Sequence, residues 1–304
     1  MRNIRFSVSL LIGGICMAMC HSCSTCSRQQ ITNDITVDLA DLVSDSTYIN
    51  MARTMYYALP TPIELSMLLK SSGIGWQPAL LNDPANAAKY LTHQKMALNF
   101  GGYITDLAYA GLFEQSQTVL RYKLAIRQLM EGLGLSSSVD LNTMQQLEAS
   151  INDKDAVMHI ISETYASCTS SLNEGDRYSL TLAILTGGWV EGMYIATNSI
   201  DENLLSDESR MKQLVVDQIL TFDMMWRVMS DFKDISDVAD MMNDLSGLAN
   251  IFDKIYVDQT PNVVTVNDDG KTSDIVASNI IDVTPETFAH IKAQIQNLRY
   301  YFTK

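Results

Sequence analysis

Basic side chains are scarce in this chain. It carries 21 Lys and Arg against 35 Asp and Glu, a net charge of −14. Such a surface repels a polyanion and no basic patch offsets it, which excludes nucleic acid as a partner. Histidine is rarer still: His21, His93, His159 and His290. There is no HExxH pair, no glycine-rich phosphate loop, no GxSxG turn and, past residue 26, no CxxC. The common zinc-hydrolase, nucleotide and serine-hydrolase signatures are therefore missing, and no catalytic residue is assigned. Cysteine also nearly vanishes after residue 26. Only Cys168 remains, so no disulfide framework is expected. It sits in an apolar stripe with Val157, Ile161, Thr164 and Leu172, where a buried thiol packs as a small hydrophobe. No metal and no cofactor are expected. The acidic run 267–271 lacks the alternating ligands and later glutamate of a calcium loop.

Long apolar runs are missing too. The most apolar stretch, 178–200, is interrupted by Gly187-Gly188 and Glu191, and it reads as a central, covered helix rather than a membrane span.

What is present is concentrated at the start. Arg2 and Arg5 precede an apolar run over 6–19, followed by four cysteines: Cys16, Cys20, Cys23 and Cys26. A short basic opening, an apolar core too short to cross a bilayer and small residues beside a cysteine form a secretory signal ending in lipidation. Residues 1–22 are read as the lipoprotein signal peptide. Cys23, which follows Ser22, is the lipid-attachment site, with Cys20 as the alternative. Removal of the two leader arginines takes the net charge from −14 to −16. Acyl chains contribute about 0.8 kcal/mol per buried methylene, so a multiply acylated cysteine binds a membrane without a spanning helix. Residues 23–40 are polar and aperiodic, a tether. Residues 41–304 form a helical domain, single or divided into two helical-hairpin lobes.

Within the body the helical signals repeat. Thr61-Pro62-Ile63-Glu64 is a capping box with proline at the first helical position, closed by Gly73. Asp83-Pro84 and Thr284-Pro285 start further helices in the same way. Stripes at helical spacing run through Val119, Tyr122, Ile126, Leu129 and Leu133. Others run through Met211, Val215, Phe222, Met225, Trp226 and Met229, through Val238, Met241, Leu245, Leu248, Phe252 and Ile255, and through Phe288, Ile291, Ile295, Leu298 and Phe302. The fold class is all-α: a helical bundle or a repeat-like array of antiparallel helical hairpins. Residues 263–283 add two short extended segments around a turn, either a small β-hairpin or a surface loop. There is also an internal echo. Phe100-Gly101-Gly102-Tyr103-Ile104 is matched 86 residues later by Thr186-Gly187-Gly188-Trp189-Val190. Paired glycines at equivalent helical places imply either close approach of two helix backbones or a break in each helix.

Two acidic residues stand out for chemistry. Asp106 and Glu191 each follow a Gly-Gly pair in an apolar helix, beside Tyr103, Tyr109, Trp189 and Tyr194. A carboxylate there costs free energy unless it is hydrogen-bonded. These six residues are the candidate ligand-binding set; the competing reading is that the carboxylates only complete a structural network. His159 and Glu163 share a helix face opposite the Val157 stripe and point to solvent.

The run 97–110, ALNFGGYITDLAYA, resembles one found in envelope lipoproteins of Bacteroidota-type bacteria that have no assigned activity. Gly188-Trp189-Val190-Glu191-Gly192-Met193-Tyr194 and the closing 284–302 helix resemble the same group. The resemblance covers most of the mature chain. It implies a mostly helical lipoprotein and brings no catalytic residue. The cysteine-rich end of the leader departs from a standard lipobox.

The sequence thus leads to a lipid-anchored envelope protein, held on a membrane (the outer membrane is expected) with its body outside the cytoplasm. It acts as a non-enzymatic binding or scaffolding module for an envelope protein or small ligand. The alternative is a small-ligand receptor or enzyme using Asp106 and Glu191 in a tyrosine-rich cleft; a third is a purely structural envelope component.

Overall fold

Two helices are covered by protein along most of their length, and the rest of the molecule is arranged around them. The computed structural model describes residues 61–139, 141–174, 177–199, 210–256, 263–266, 273–276 and 283–304. Residues 1–40, where the sequence leads one to expect a signal peptide and a tether, lie outside the described residues, as do the cysteines at 16, 20, 23 and 26. The chain divides into the units Met1–Leu42 and Val43–Lys304, and every described residue falls in the second.

The elements follow the sequence signals closely. Helix α1 (Pro62–Ser71) opens with the capping box. Thr61 N–H donates to Glu64 Oε2 at 2.7 Å, and Glu64 N–H donates to Thr61 Oγ1 at 3.2 Å. The helix stops at Gly73, whose φ of +90° suits a residue without a side chain.

Asp83-Pro84 is corrected by the structure. Asp83 does cap, accepting from Ala85 N–H at 3.1 Å, but the segment it opens, Pro84–Lys89, is a 3₁₀ turn and not an α-helix. Its backbone bonds run from i+3 to i, Asn86 N–H to Asp83 O at 2.9 Å and Tyr90 N–H to Ala87 O at 3.5 Å, while Tyr122 Oη on Asn82 O and Tyr103 Oη on Asp83 O tie residues 74–92 down as an irregular strap. The α-helix begins later. Helix α2 (His93–Leu112) is capped by Thr92, which accepts from Lys95 N–H at 3.2 Å.

Then come α3 (Ser116–Gly132), α4 (Leu141–Ala149), α5 (Lys154–Glu174), α6 (Tyr178–Ser199), α7 (Arg210–Asp231) and α8 (Ser236–Tyr256). Strands β1 (Val263–Val266) and β2 (Ser273–Val276) pair antiparallel, with Val263 opposite Val276. Helix α9 (Pro285–Thr303) closes the described chain, with Thr284 as its cap. The molecule is an all-α bundle with one small hairpin. Among the described residues no helix is long and apolar enough to cross a membrane.

Helices α2 and α6 form the centre. Residues 97–112 of α2 are buried without interruption, and α6 is buried from Leu180 to Met193. Helices α1, α3, α5, α8 and α9 pack around this pair, the last four through the stripes read from their sequences. The stripe of α9 is complete: Phe288, Ile291, Ile295, Leu298 and Phe302 are all buried. Cys168 is buried in α5, and His159 and Glu163 are exposed.

The α2–α6 contact explains the glycine pairs. A Cβ on Gly101 would stand 1.9 Å from Ile184 O, and one on Gly187 would stand 1.8 Å from Leu98 O. Shifting Gly101 and Leu98 by the 86-residue repeat gives Gly187 and Ile184, so the two collisions are symmetric copies. The partners run in opposite order along the two helices. Both helices continue unbroken through the contact, so close approach is the reading that holds. Thr105 Oγ1 spans the crossing, bonding Gly101 O and Gly188 O at 3.2 Å each.

Candidate functional site: a buried carboxylate pair

The repeat places Thr105 and Glu191 at equivalent positions, one turn past each glycine pair. Only one of them is charged. Glu191 lies 2% exposed, with Oε2 3.7 Å from where a Gly102 side chain would begin. Asp106, on the next position of α2, is fully buried. The glycine surface that lets the helices meet also makes room for the glutamate side chain over α2.

Two buried carboxylates need compensation. It comes from α9. Arg299 grips Glu191 with both ends of its fork, Nε to Oε2 and Nη2 to Oε1, each at 3.1 Å. The same Nη2 donates to Leu80 O at 3.1 Å, and the guanidinium stands 4.5 Å from the Tyr194 ring centroid. Asp106 receives one donor, Asn82 N–H on Oδ2 at 3.1 Å. Its other oxygen, Oδ1, meets no N–H or hydroxyl donor. The Asp106 and Glu191 carboxyl groups lie within hydrogen-bonding reach of each other.

Asn82 is the junction of the surrounding network. Its amide donates to Tyr90 Oη at 3.0 Å and Asn99 Oδ1 at 3.2 Å, and its carbonyl accepts from Tyr122 Oη at 2.6 Å. Asn99 passes the chain on to Phe302 O at 2.8 Å. Tyr103 donates to Asp83 O at 2.9 Å and packs edge-on against Tyr122. The strap, α2, α3, α6 and α9 are thus joined by one polar cluster.

Burial dominates its electrostatics. It pushes the Asp106 carboxyl well above the usual carboxylate range, and the Glu191 charge pushes it further against the opposing pull of Arg299. Glu191 is raised by burial and held back by Arg299. Tyr103 and Tyr122 are raised by burial too, and remain phenols. Burial works against the Arg299 charge, but Glu191 and Asp106 outweigh it and hold its pKa above the ordinary value.

Of the six residues marked in the sequence, Asp106, Glu191, Tyr103 and Tyr194 meet around this cluster. The other two turn elsewhere. Tyr109 donates to Gly75 O and stacks on Trp76 at 5.2 Å. Trp189 donates Nε1–H to Gln218 Oε1 at 3.0 Å and packs on Phe222. Sequence reading missed Asn82, Asn99, Tyr122 and Arg299. Asn99 carried a signal, being an amide inside the apolar run 97–112. Arg299 carried a weaker one, beside Leu298 on the buried stripe of α9.

Asp106 and Glu191 are both sealed from solvent, and Arg299, 17% exposed, is the member of the cluster that reaches toward the surface. Among the described residues no group of three or more His, Cys, Asp or Glu is disposed to hold a metal ion. Burial pushes the Cys168 thiol up to about 12, far from a reactive thiolate. A shallow depression of about 250 Å³ lies between α3 and α4, lined by Lys123, Arg127, Met130 and Gln145 among others. Comparison with protein-family models, with curated proteins and with solved structures finds no match for this chain.

Proposed function

We propose that this chain is a lipid-anchored envelope protein whose helical body is a non-enzymatic binding or scaffolding module. The observation that carries the reading is the internal use of the acidic pair. Glu191 spends both oxygens on Arg299, and Asp106 and Glu191 are sealed from solvent, so the polar groups best suited to chemistry hold the fold together. Recognition then falls to the surface. Tyr300 and Tyr301 stand 64% and 53% exposed on the last turn of α9, with Lys304 over one ring and Lys95 over the other. Exposed tyrosines flanked by cations are the kind of group that anchors a protein interface. Membrane attachment through Cys23 is the second half of the proposal, and the basic, apolar and cysteine-rich order of residues 2–26 supports it.

A second reading, a small-ligand receptor, draws on the convergence of Asp106 and Glu191 from two helices. It requires the cluster to open.

Palmitate labelling of the full chain in a lipoprotein-processing bacterium tests the anchor. Cys23→Ser abolishes the label under this proposal; undiminished labelling moves the anchor to Cys20 or Cys26. Crosslinking in intact envelopes tests the module. A discrete protein adduct that weakens in Tyr300→Ala and Tyr301→Ala supports it. A small molecule retained in native mass spectrometry and lost on Glu191 substitution supports the receptor reading instead.

A further inference from the structure

The charge count of the buried cluster does not close with both carboxyl groups ionised. Two anions sealed from solvent would face a single guanidinium, and two carboxylates within hydrogen-bonding reach repel unless a proton lies between them. The orphaned atom shows where that proton belongs. Asp106 Oδ2 is engaged as an acceptor by Asn82 N–H, while Oδ1 is buried with no donor pointing at it. An unpartnered buried oxygen is costly, but a protonated one becomes a donor, and the neighbouring acceptor is the Glu191 carboxylate.

We propose that the cluster is a proton-locked clamp: one proton held between Asp106 and Glu191 fastens the 74–92 strap and α9 to the α2–α6 crossing, and its withdrawal releases them. The elements that move are those the cluster ties. Arg299 joins α9 to Glu191 and to Leu80 O of the strap, and Asn82 joins the strap to Asp106. The titratable groups facing the pair come from every element packed around it. Tyr103 stands on α2, Tyr122 on α3, Tyr194 on α6 and Tyr90 at the end of the strap's 3₁₀ turn, with Arg299 the facing cation on α9. Tyr90, Tyr103 and Tyr122 keep their protons across neutral pH, because burial raises each above the usual phenol value. The carboxyl pair is therefore the group that senses proton activity.

The sign comes from linkage. A carboxyl raised in the folded state supplies stability that is complete below its unfolded value and is lost as pH climbs through the raised one. Asp106→Asn keeps a neutral donor for Glu191 and removes the titration. In denaturant titrations of the full chain over a pH series, wild type weakens relative to Asp106→Asn as pH rises above the ordinary aspartate range. The difference approaches tenfold in the unfolding constant per pH unit. Parallel stability curves overturn the clamp. If Asp106→Asn fails to fold, the wild type still decides. Its infrared spectrum at neutral pH contains a protonated carboxylic-acid band. The band disappears at the pH where amides of α9 and the strap begin to exchange rapidly. No such band at neutral pH, or a band whose loss leaves exchange unchanged, overturns the proposal.

Discussion

At the scale of residues, the glycines of the two pairs carry different weights that their spacing alone does not show. A Cβ on Gly101 or Gly187 would stand under 2 Å from a backbone carbonyl of the opposite helix, and a carbonyl cannot turn aside as a side chain can. Gly102 faces Glu191 at an ordinary contact distance of 3.7 Å. Gly101→Ala is therefore expected to cost more than about 3 kcal/mol, beyond the usual range for overpacking. Gly102→Ala is expected to be neutral or to gain up to about 1 kcal/mol from helix propensity. Urea titration of the two variants checks the contrast, and equal losses would contradict the contact geometry. Arg299 is the other residue whose role is specific. Arg299→Met leaves Glu191 buried without its cation and is expected to cost about 3–5 kcal/mol. Arg299→Lys recovers only part of this, because a single ammonium does not reproduce two parallel bonds. Full recovery by lysine in the same titration would mean that the fork geometry is unimportant.

At the scale of elements, local signals were legible where their chemistry is local. The caps at Thr61 and Thr284 and the stripes of α3, α8 and α9 each need only neighbours within a few residues, and each forms as its sequence implies. The Asp83-Pro84 start was legible as a cap and illegible as to length. The tyrosines that claim the strap's carbonyls come from α2 and α3. A cap's contribution is also local. Thr284→Ala should lower stability by about 1 kcal/mol, since Thr287 N–H loses its acceptor, whereas Thr284→Gly should cost only a few tenths. A shift in the urea midpoint distinguishes the pair; identical losses would place the effect elsewhere than in the cap.

At the scale of the whole molecule, the 86-residue echo proved to be the plan of the core. It was readable because both copies kept their glycines, and its outcome, approach rather than breakage, needed the opposing carbonyls to be seen. The polar cluster was half readable. Asp106 and Glu191 are conspicuous in apolar helices, but Arg299 lies 108 residues from Glu191, and no pattern in α9 announces its partner. Nor does periodicity tell which tyrosine meets which acid, and so Tyr109 and Trp189 were grouped with residues they do not serve. The α2–α6 crossing is then the most solid part of the body, with helices and strap added around it. Native-state hydrogen exchange of the full chain tests this directly. The amides of 97–110 and 183–196 should exchange last, and only through global unfolding, after those of the strap and of α4. Early, independent exchange of either central helix would contradict it.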